Sequence, residues 1–286
     1  MQPSAKVIAD SIGPTGVRLT TLEVVMHRFV LAEFNTHRVF SRNSASSRAI
    51  PVTKILERVK TDPAYPSVWA REQPGMQGGT ELEGIDLARA KQLFEDVRNS
   101  TVALIEDYLG LVPSKEHRAH KSLINRLLEP FMWHTVIVTA TEWDGFWWQR
   151  CHKDAQPEIK VAAEAMKAAV DASKPEELDY GMWHMPYIDI AEDMDILDMY
   201  GNEGLIKASV ARCARVSTLN HDGKKSIEDD FKLYDRLTDR TNSDDPPHAS
   251  PLEHVATPVD LSDESYWPLR GNFAEWAQLR HMVLDF

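Results

Sequence analysis

Thirteen consecutive residues, Thr36-His37-Arg38-Val39-Phe40-Ser41-Arg42-Asn43-Ser44-Ala45-Ser46-Ser47-Arg48, hold three arginines, a histidine and five hydroxyls. They follow an apolar segment, Phe29-Val30-Leu31-Ala32-Glu33-Phe34, that reads as a helix, and they end at Pro51. The chain must therefore accommodate a cationic, hydroxyl-rich turn at the end of an apolar element. Arginine offers a planar fork for phosphate, and serine hydroxyls and backbone amides supply neutral donors around it. A solvated polar turn would explain a single Arg-Ser pair. The density of the whole run points to an anionic ligand.

Length and composition bound the alternatives. The chain has 286 residues, enough for one large domain or two small ones, with 43% hydrophobic and 27% charged residues, as in ordinary globular proteins. No apolar run reaches the roughly 18 residues that span a bilayer, and the Met-Gln-Pro-Ser-Ala-Lys start has no apolar signal core. Only Cys151 and Cys213 are present, so no disulfide framework is expected and a reducing, cytoplasmic setting fits. The formal net charge of -12 argues against a nucleic-acid partner. An anionic small ligand then needs a local basic pocket within an acidic field.

Along the chain, Val17–Val25 is β-branched and reads as a strand, followed by a helix to Thr36. The cationic run makes a turn, and 52–60 is a short helix. Residues 61–81, with three prolines and Gln-Pro-Gly-Met-Gln-Gly-Gly-Thr, form a long loop. Asp86–Leu109 has helical periodicity. A second helix opens at Pro113-Ser114, with Ser114 as cap, and runs to about Leu128, where Pro130 ends it. Val136–Thr141 reads as a short strand, Glu142–Cys151 as a helix, and Asp154–Ala172 as an Ala-rich helix kinked near Pro157. Residues 173–204 read as loop with short elements, Leu205–Val216 as regular structure and Glu228–Arg240 as a charged helix. Thr241–Pro247 is a linker, and Tyr266–Phe286 ends in a helix with Gly271-Asn272 near its start.

Five further segments carry chemistry. Arg126, just before Pro130, is a lone arginine of the kind that usually binds helix-end carbonyls or solvent. Arg150 follows Trp147-Trp148-Gln149, so it is expected to be partly buried and paired, with Asp144 a candidate acid. Ala211-Arg212-Cys213-Ala214-Arg215-Val216-Ser217 is equally a strand end with a capping serine. In His248-Ala249-Ser250-Pro251-Leu252-Glu253-His254, Pro251 sets a turn that presents a hydroxyl and an imidazole to a phosphate or ring edge; two histidines and a glutamate could instead bind metal. His117 and His120, at i and i+3, would share a helix face and offer a second metal reading.

The cationic run also resembles the signature of the flavin-dependent thymidylate synthases: Arg-His-Arg, seven residues, Ser, and an Arg two further on. His37, Arg38, Ser41, Asn43, Ser46 and Arg48 match in register, whereas Thr36, Ser44 and Ala49 stand where Arg, Glu and Tyr are usual. Arg126 resembles a nucleotide-gripping arginine. Arg150, four residues before Ala155-Gln156-Pro157-Glu158-Ile159, resembles the arginine that orients the base and stabilises charge developing on it. Ala214-Arg215-Val216-Ser217 and His248–His254 are similar to two further family segments, which there precede the signature and here follow it.

The resemblance implies an α+β fold with helices around a central, mostly antiparallel sheet. It implies one domain over 1–286, circularly permuted or otherwise assembled in another order, with 18–204 matching the family's later part and 205–286 its early part. The implied activity is methylation of dUMP at C5 to dTMP, with FAD as cofactor, NADPH as reductant and methylenetetrahydrofolate as carbon donor. His37, Arg38, Ser41, Asn43, Ser217, His248, Ser250 and Glu253 would hold cofactor. Ser46, Arg48, Arg126 and Arg150 would hold substrate, with Ser46 and Arg150 at the chemistry and no metal. The implied assembly is a homotetramer with shared active sites, whose interface the eight tryptophans could populate. The departures at Ser44 and Ala49 motivate two alternatives: another pyrimidine deoxynucleotide, with dCMP methylated or hydroxymethylated, or a nucleotide- or flavin-binding protein without turnover.

Overall fold

The structure is a computed structural model and describes residues 1–216, 226–239, 241 and 248–284. Its strands are β1 (Ser4–Ile12), β2 (Arg18–His27), β3 (Ser41–Ser44), β4 (Trp133–Ala140), β5 (Glu176–Glu177), β6 (Ala256–Pro258) and β7 (Trp276–Gln278). Its α-helices are α1 (Leu31–Phe34), α2 (Val52–Thr61), α3 (Gly84–Leu111), α4 (Lys121–Ile124), α5 (Asp144–Arg150), α6 (Pro157–Ala172), α7 (Met194–Arg215), α8 (Ile227–Thr238) and α9 (Leu279–Val283). The main sheet runs β3-β4-β2-β1-β5, antiparallel except for the β1–β5 pair, and β6 and β7 form a separate antiparallel ladder. The expected α+β architecture with a mostly antiparallel sheet is therefore present.

Strands β2 and β4 are central, and both of their faces are covered. Side chains alternate across a strand, so one face of the pair carries Leu22, Val24, Met26, Val136, Val138 and Ala140, all fully buried. These pack on α6 through Ile159, Ala162, Ala163, Met166 and Val170, spaced as one stripe of a helix. Pro157 occupies the first turn of α6 rather than kinking it. Proline lacks an N–H that would be unsatisfied there anyway, so it starts a helix at no cost.

The other face carries Ile137, packed on Cys213 and Val216 at the end of α7. It also carries a buried polar chain. The Ser11 hydroxyl lies 2.9 Å from His184 Nδ1, His184 Nε2 lies 2.7 Å from Thr21 Oγ1, Thr21 meets Thr139 at 2.7 Å, and Thr139 meets His254 Nδ1 at 2.8 Å. These hydrogen bonds satisfy polar groups that would otherwise be costly to bury. They also tie the 250–254 segment to the sheet centre.

Several sequence-derived elements are corrected. Residues 41–44 are a strand, not part of a turn, because they pair with 136–139 of β4. The helix after β2 is reduced to a 3-10 turn (Arg28–Val30) and α1. The helix expected from Ser114 breaks at 118–120. Ser114 makes no side-chain cap, and His120 accepts from Ser122 N instead, so His117 and His120 share no helix face. Pro130 lies inside a 3-10 segment, Asn125–Phe131. Residues 194–204 are helical, interrupted by Gly201 at φ 63°, a left-handed conformation that glycine adopts without penalty. Residues 276–278 are strand, and the Ala211–Val216 segment is a helix end. The 241–247 linker lies, apart from Thr241, outside the described residues.

Burial pushes the imidazoles of His134, His184 and His254 down to about 3. An unfolded chain would protonate them near pH 6.5. Below that pH the unfolded state binds more protons, so stability is full above about 6.5 and falls progressively towards pH 3. Denaturant melts should therefore show a midpoint that drops steadily from pH 7 to pH 4. Thr139→Val removes the link between Thr21 and His254 in the polar chain and should cost about 1–3 kcal/mol at pH 7, measured by the same melts. A cost below a few tenths would mean that the chain carries no stability.

Candidate functional site

The site grows from the turn between α1 and β3. Phe34 and Phe40 are buried against Phe146 of α5 and Trp143, which pins both ends of the turn. Arg150, the last residue of α5, then reaches the turn from a segment 113 residues away. Its Nε donates to His37 Nε2 at 2.8 Å, and its Nη2 donates to Thr36 Oγ1 at 3.2 Å and to the Glu33 carbonyl at 3.4 Å. Asp144, the candidate acid from sequence, is not its partner. An imidazole that accepts from a guanidinium must be neutral at that nitrogen. Burial, with Arg150 and Arg42 nearby, holds His37 down to about 4. Thr36, where the family signature has arginine, thus serves as a seat for Arg150.

Arg42 points back under the turn. Its Nη1 donates to the carbonyls of His37 at 3.2 Å and Phe34 at 3.4 Å. Burial lowers its pKa while Glu253 opposes that shift. Glu253 in turn pairs with Arg280 of α9. Arg38, between these anchors, is exposed and makes no hydrogen bond or ion pair among the described residues.

Ser41 and Asn43 face the sheet surface that also carries Thr139 and Ile137, and both are buried. Asn43 Nδ2 donates to the Cys213 carbonyl at 2.8 Å. Ser41 donates to Asn272 Oδ1 at 3.0 Å and accepts from Gln278 Nε2 at 2.9 Å. These two side chains are committed to internal hydrogen bonds. The 3-10 turn Ser250–His254 packs beside β3, with Ser250 half-buried and His248 exposed. Ser217 lies outside the described residues.

A third cluster forms where residues 46–50 meet 121–126. Asn125 donates to the carbonyls of Ser47 at 2.7 Å and Ile50 at 2.9 Å, and Lys121 donates to the Ala49 carbonyl at 2.8 Å. Glu129 accepts from Ser47 and from Arg28. This bracing leaves Arg48 and Arg126 exposed on adjoining segments, neither with an ion-pair partner among the described residues. The Ser46 hydroxyl accepts from Arg48 N at 3.2 Å.

The structure thus brings Arg150 to His37, Glu253 towards Arg42, and Arg48 to the neighbourhood of Arg126. Sequence reasoning missed Arg42, Asn125, Asn272 and Gln278. Arg42 was visible as a third arginine in the run, but the others are ordinary amides whose partners are distant in the chain. Among the described residues no group of three His, Cys, Asp or Glu is placed to hold a metal, and no helix is long and apolar enough to cross a membrane.

Replacing Arg150 by Gln removes a positive neighbour from His37. The imidazole pKa should rise from about 4 towards its ordinary value, read by NMR titration of the His37 ring. An unchanged titration would show that burial alone holds this ring neutral.

No curated protein matches the chain. Among solved structures, the UMP/dUMP methylase PolB from Streptomyces cacaoi bound with 5-Br UMP is 15% identical, with a TM-score of 0.46 over 59% of this chain and 88% of that one. Thymidylate Synthase X from Helicobacter pylori with FAD and dUMP is 19% identical, with a TM-score of 0.33 over 53% of this chain and 67% of that one. The model of the thymidylate synthase complementing protein family matches residues 18–176, a span that holds the signature turn, Arg126 and Arg150. The chain belongs to the thymidylate synthase complementing protein family.

Proposed function

We propose that this protein is a flavin-dependent enzyme that methylates dUMP at C5, taking its carbon from methylenetetrahydrofolate and its electrons from NADPH. The observation that carries the reading is the Arg150–His37 contact, which joins the two family segments into one cationic corner. Family membership supports the reaction class.

The residues fit an anionic dinucleotide such as FAD. Arg38 is exposed and uncommitted beside a neutral His37, and His248 is exposed nearby in sequence to the half-buried Ser250. When bound, FAD would supply the redox chemistry. Ser41 and Asn43 would act indirectly, by shaping β3. Arg48 and Arg126 would grip the nucleotide phosphate, since a charge-assisted fork to phosphate is among the strongest polar contacts. Ser46 would orient Arg48 and the sugar. Arg150, already aimed by His37 and Thr36, would place positive charge against the base, where electrostatic stabilisation of developing negative charge lowers the barrier.

We further infer a single domain with permuted segment order. At the end of β6, Pro258 lies against the turn that leads into β2: a methyl group at Gly13 would stand 3.1 Å from Pro258 Cβ, and Trp276 Nε1 donates to the Val17 carbonyl at 3.2 Å. A chain running from residue 258 directly into β2 would restore the family's order of segments without moving the sheet.

A homo-oligomer with shared sites fits as well. Helix α3 buries one stripe through Val102 and Ile105 and exposes a second through Leu93, Val97, Leu104 and Leu111. An apolar stripe of this length on a water-facing helix marks an interaction surface. Light scattering should give a tetramer that Leu104→Glu breaks into smaller species; a stable, active monomer would refute it.

The catalytic reading is tested by the visible spectrum before and after anaerobic NADPH, followed by turnover of dUMP and dCMP. A flavin band that bleaches, with dTMP formed, is expected. Turnover of dCMP alone would change the substrate, and failure to bind FAD would end the reading. Arg48→Ala and Arg126→Ala should each weaken dUMP binding by roughly tenfold or more, consistent with loss of a charge-assisted hydrogen bond.

A further inference from the structure

The segment Gly271–Gln278 has no part in the catalytic reading above, yet it touches the signature turn directly. Asn272 Nδ2 donates to the Val39 carbonyl at 2.7 Å, and Asn272 Oδ1 accepts from Ser41 at 3.0 Å and from Gln278 Nε2 at 2.9 Å. Gln278 Nε2 also donates to Ser41 at 2.9 Å. Three polar side chains therefore close on one another, and Asn272 reaches past them to the carbonyl next to Arg38. Ser41 and Gln278 are each 1% exposed, so the inner side of this contact is buried, and Asn272, itself exposed, carries it out to the Val39 carbonyl at the surface.

The segment is itself anchored. Phe273 and Trp276 are buried with Leu19, Leu178 and Ala256, and Ala274 N donates to Thr141 Oγ1 at 3.0 Å. Gly271 has φ 58°, and a Cβ there would collide with the Gln278 amide and the His281 ring, so only glycine permits the approach. With Arg150 on the His37 ring and Arg42 on the His37 carbonyl, Asn272 is the third tether on a turn whose middle residue, Arg38, is left projecting.

We propose that Asn272 and Gln278 are positioning residues: they clasp the Val39 carbonyl and the Ser41 hydroxyl so that Arg38 is presented to the anionic cofactor without an ordering cost on binding. Fixing a loop in its bound shape raises affinity by removing that cost. The proposal rests on the flavin reading. It goes beyond that reading in assigning a role to a segment remote from every family motif.

The test uses the full-length protein with two variants. Asn272→Ala removes the clasp; the isosteric Asn272→Asp keeps the acceptor for Ser41 and Gln278 but loses the donor to Val39. Both should keep the circular dichroism of the parent. Hydrogen exchange of the peptide covering 36–44, without ligand, should accelerate at least tenfold in both. The FAD dissociation constant should rise about tenfold. Combined with Arg38→Ala, Asn272→Ala should add little further loss, because both act through the same side chain; a merely structural role would give the product of the single losses. Unchanged exchange at 36–44, wild-type FAD affinity, or fully multiplicative losses would each overturn the clasp. A parent protein that binds no FAD would sink the flavin reading, and the exchange comparison would then decide the clasp alone.

Discussion

Pairing of Ser41–Ser44 with Val136–Thr139 is the constraint on which the rest of the site depends. Those four residues add an edge strand to a sheet whose next two strands are buried on both faces. Alternation then does the sorting. Ser41 and Asn43 are turned towards α7 and the C-terminal segment, while Arg42 is turned towards the signature turn and the end of α1. A one-residue slip would exchange these roles and bury the guanidinium of Arg42 where two small polar side chains now fit. Register is secured on that face by the Asn43–Cys213 bond and by the bonds of Ser41 to Asn272 and Gln278.

From this strand the three parts of the candidate site follow. The turn before β3 is held by Arg150 and Arg42, and the residues after it are braced by Asn125 and Lys121. Carbonyls accept most of these contacts, which leaves several cationic side chains for another task. Arg38, Arg48 and Arg126 are exposed in a protein of net charge -12. Local cationic groups in an acidic field are what selective capture of a small anion requires. The neutral state of His37 is part of the same arrangement, since a second cation there would repel Arg150.

Much of this was legible in the chain. The β-branched runs gave β2 and β4, helical periodicity gave α2, α3 and α6, and the density of arginine and hydroxyl marked 36–48 as the place to look. Other features were not legible, for definite reasons. Ser41–Ser44 has poor strand propensity and becomes a strand only because β4 offers it a free edge. The helix at 194–204 was hidden by Gly201, whose left-handed backbone interrupts the periodicity. His120 outcompeted Ser114 as a cap because the chain between them turns away from helix.

The sequence by itself determined the family, the α+β class and the identity of the cationic residues, because these depend on local pattern and on residue chemistry. Only the tertiary structure decided which of those residues meet. Arg150 pairs with His37 and not with Asp144, Asn43 caps α7, and Gly271–Gln278 reaches the signature turn. Each of these contacts joins segments more than a hundred residues apart. Such contacts are set by sheet register and by how helices cover its two faces, and nothing in the spacing of residues along the chain encodes them.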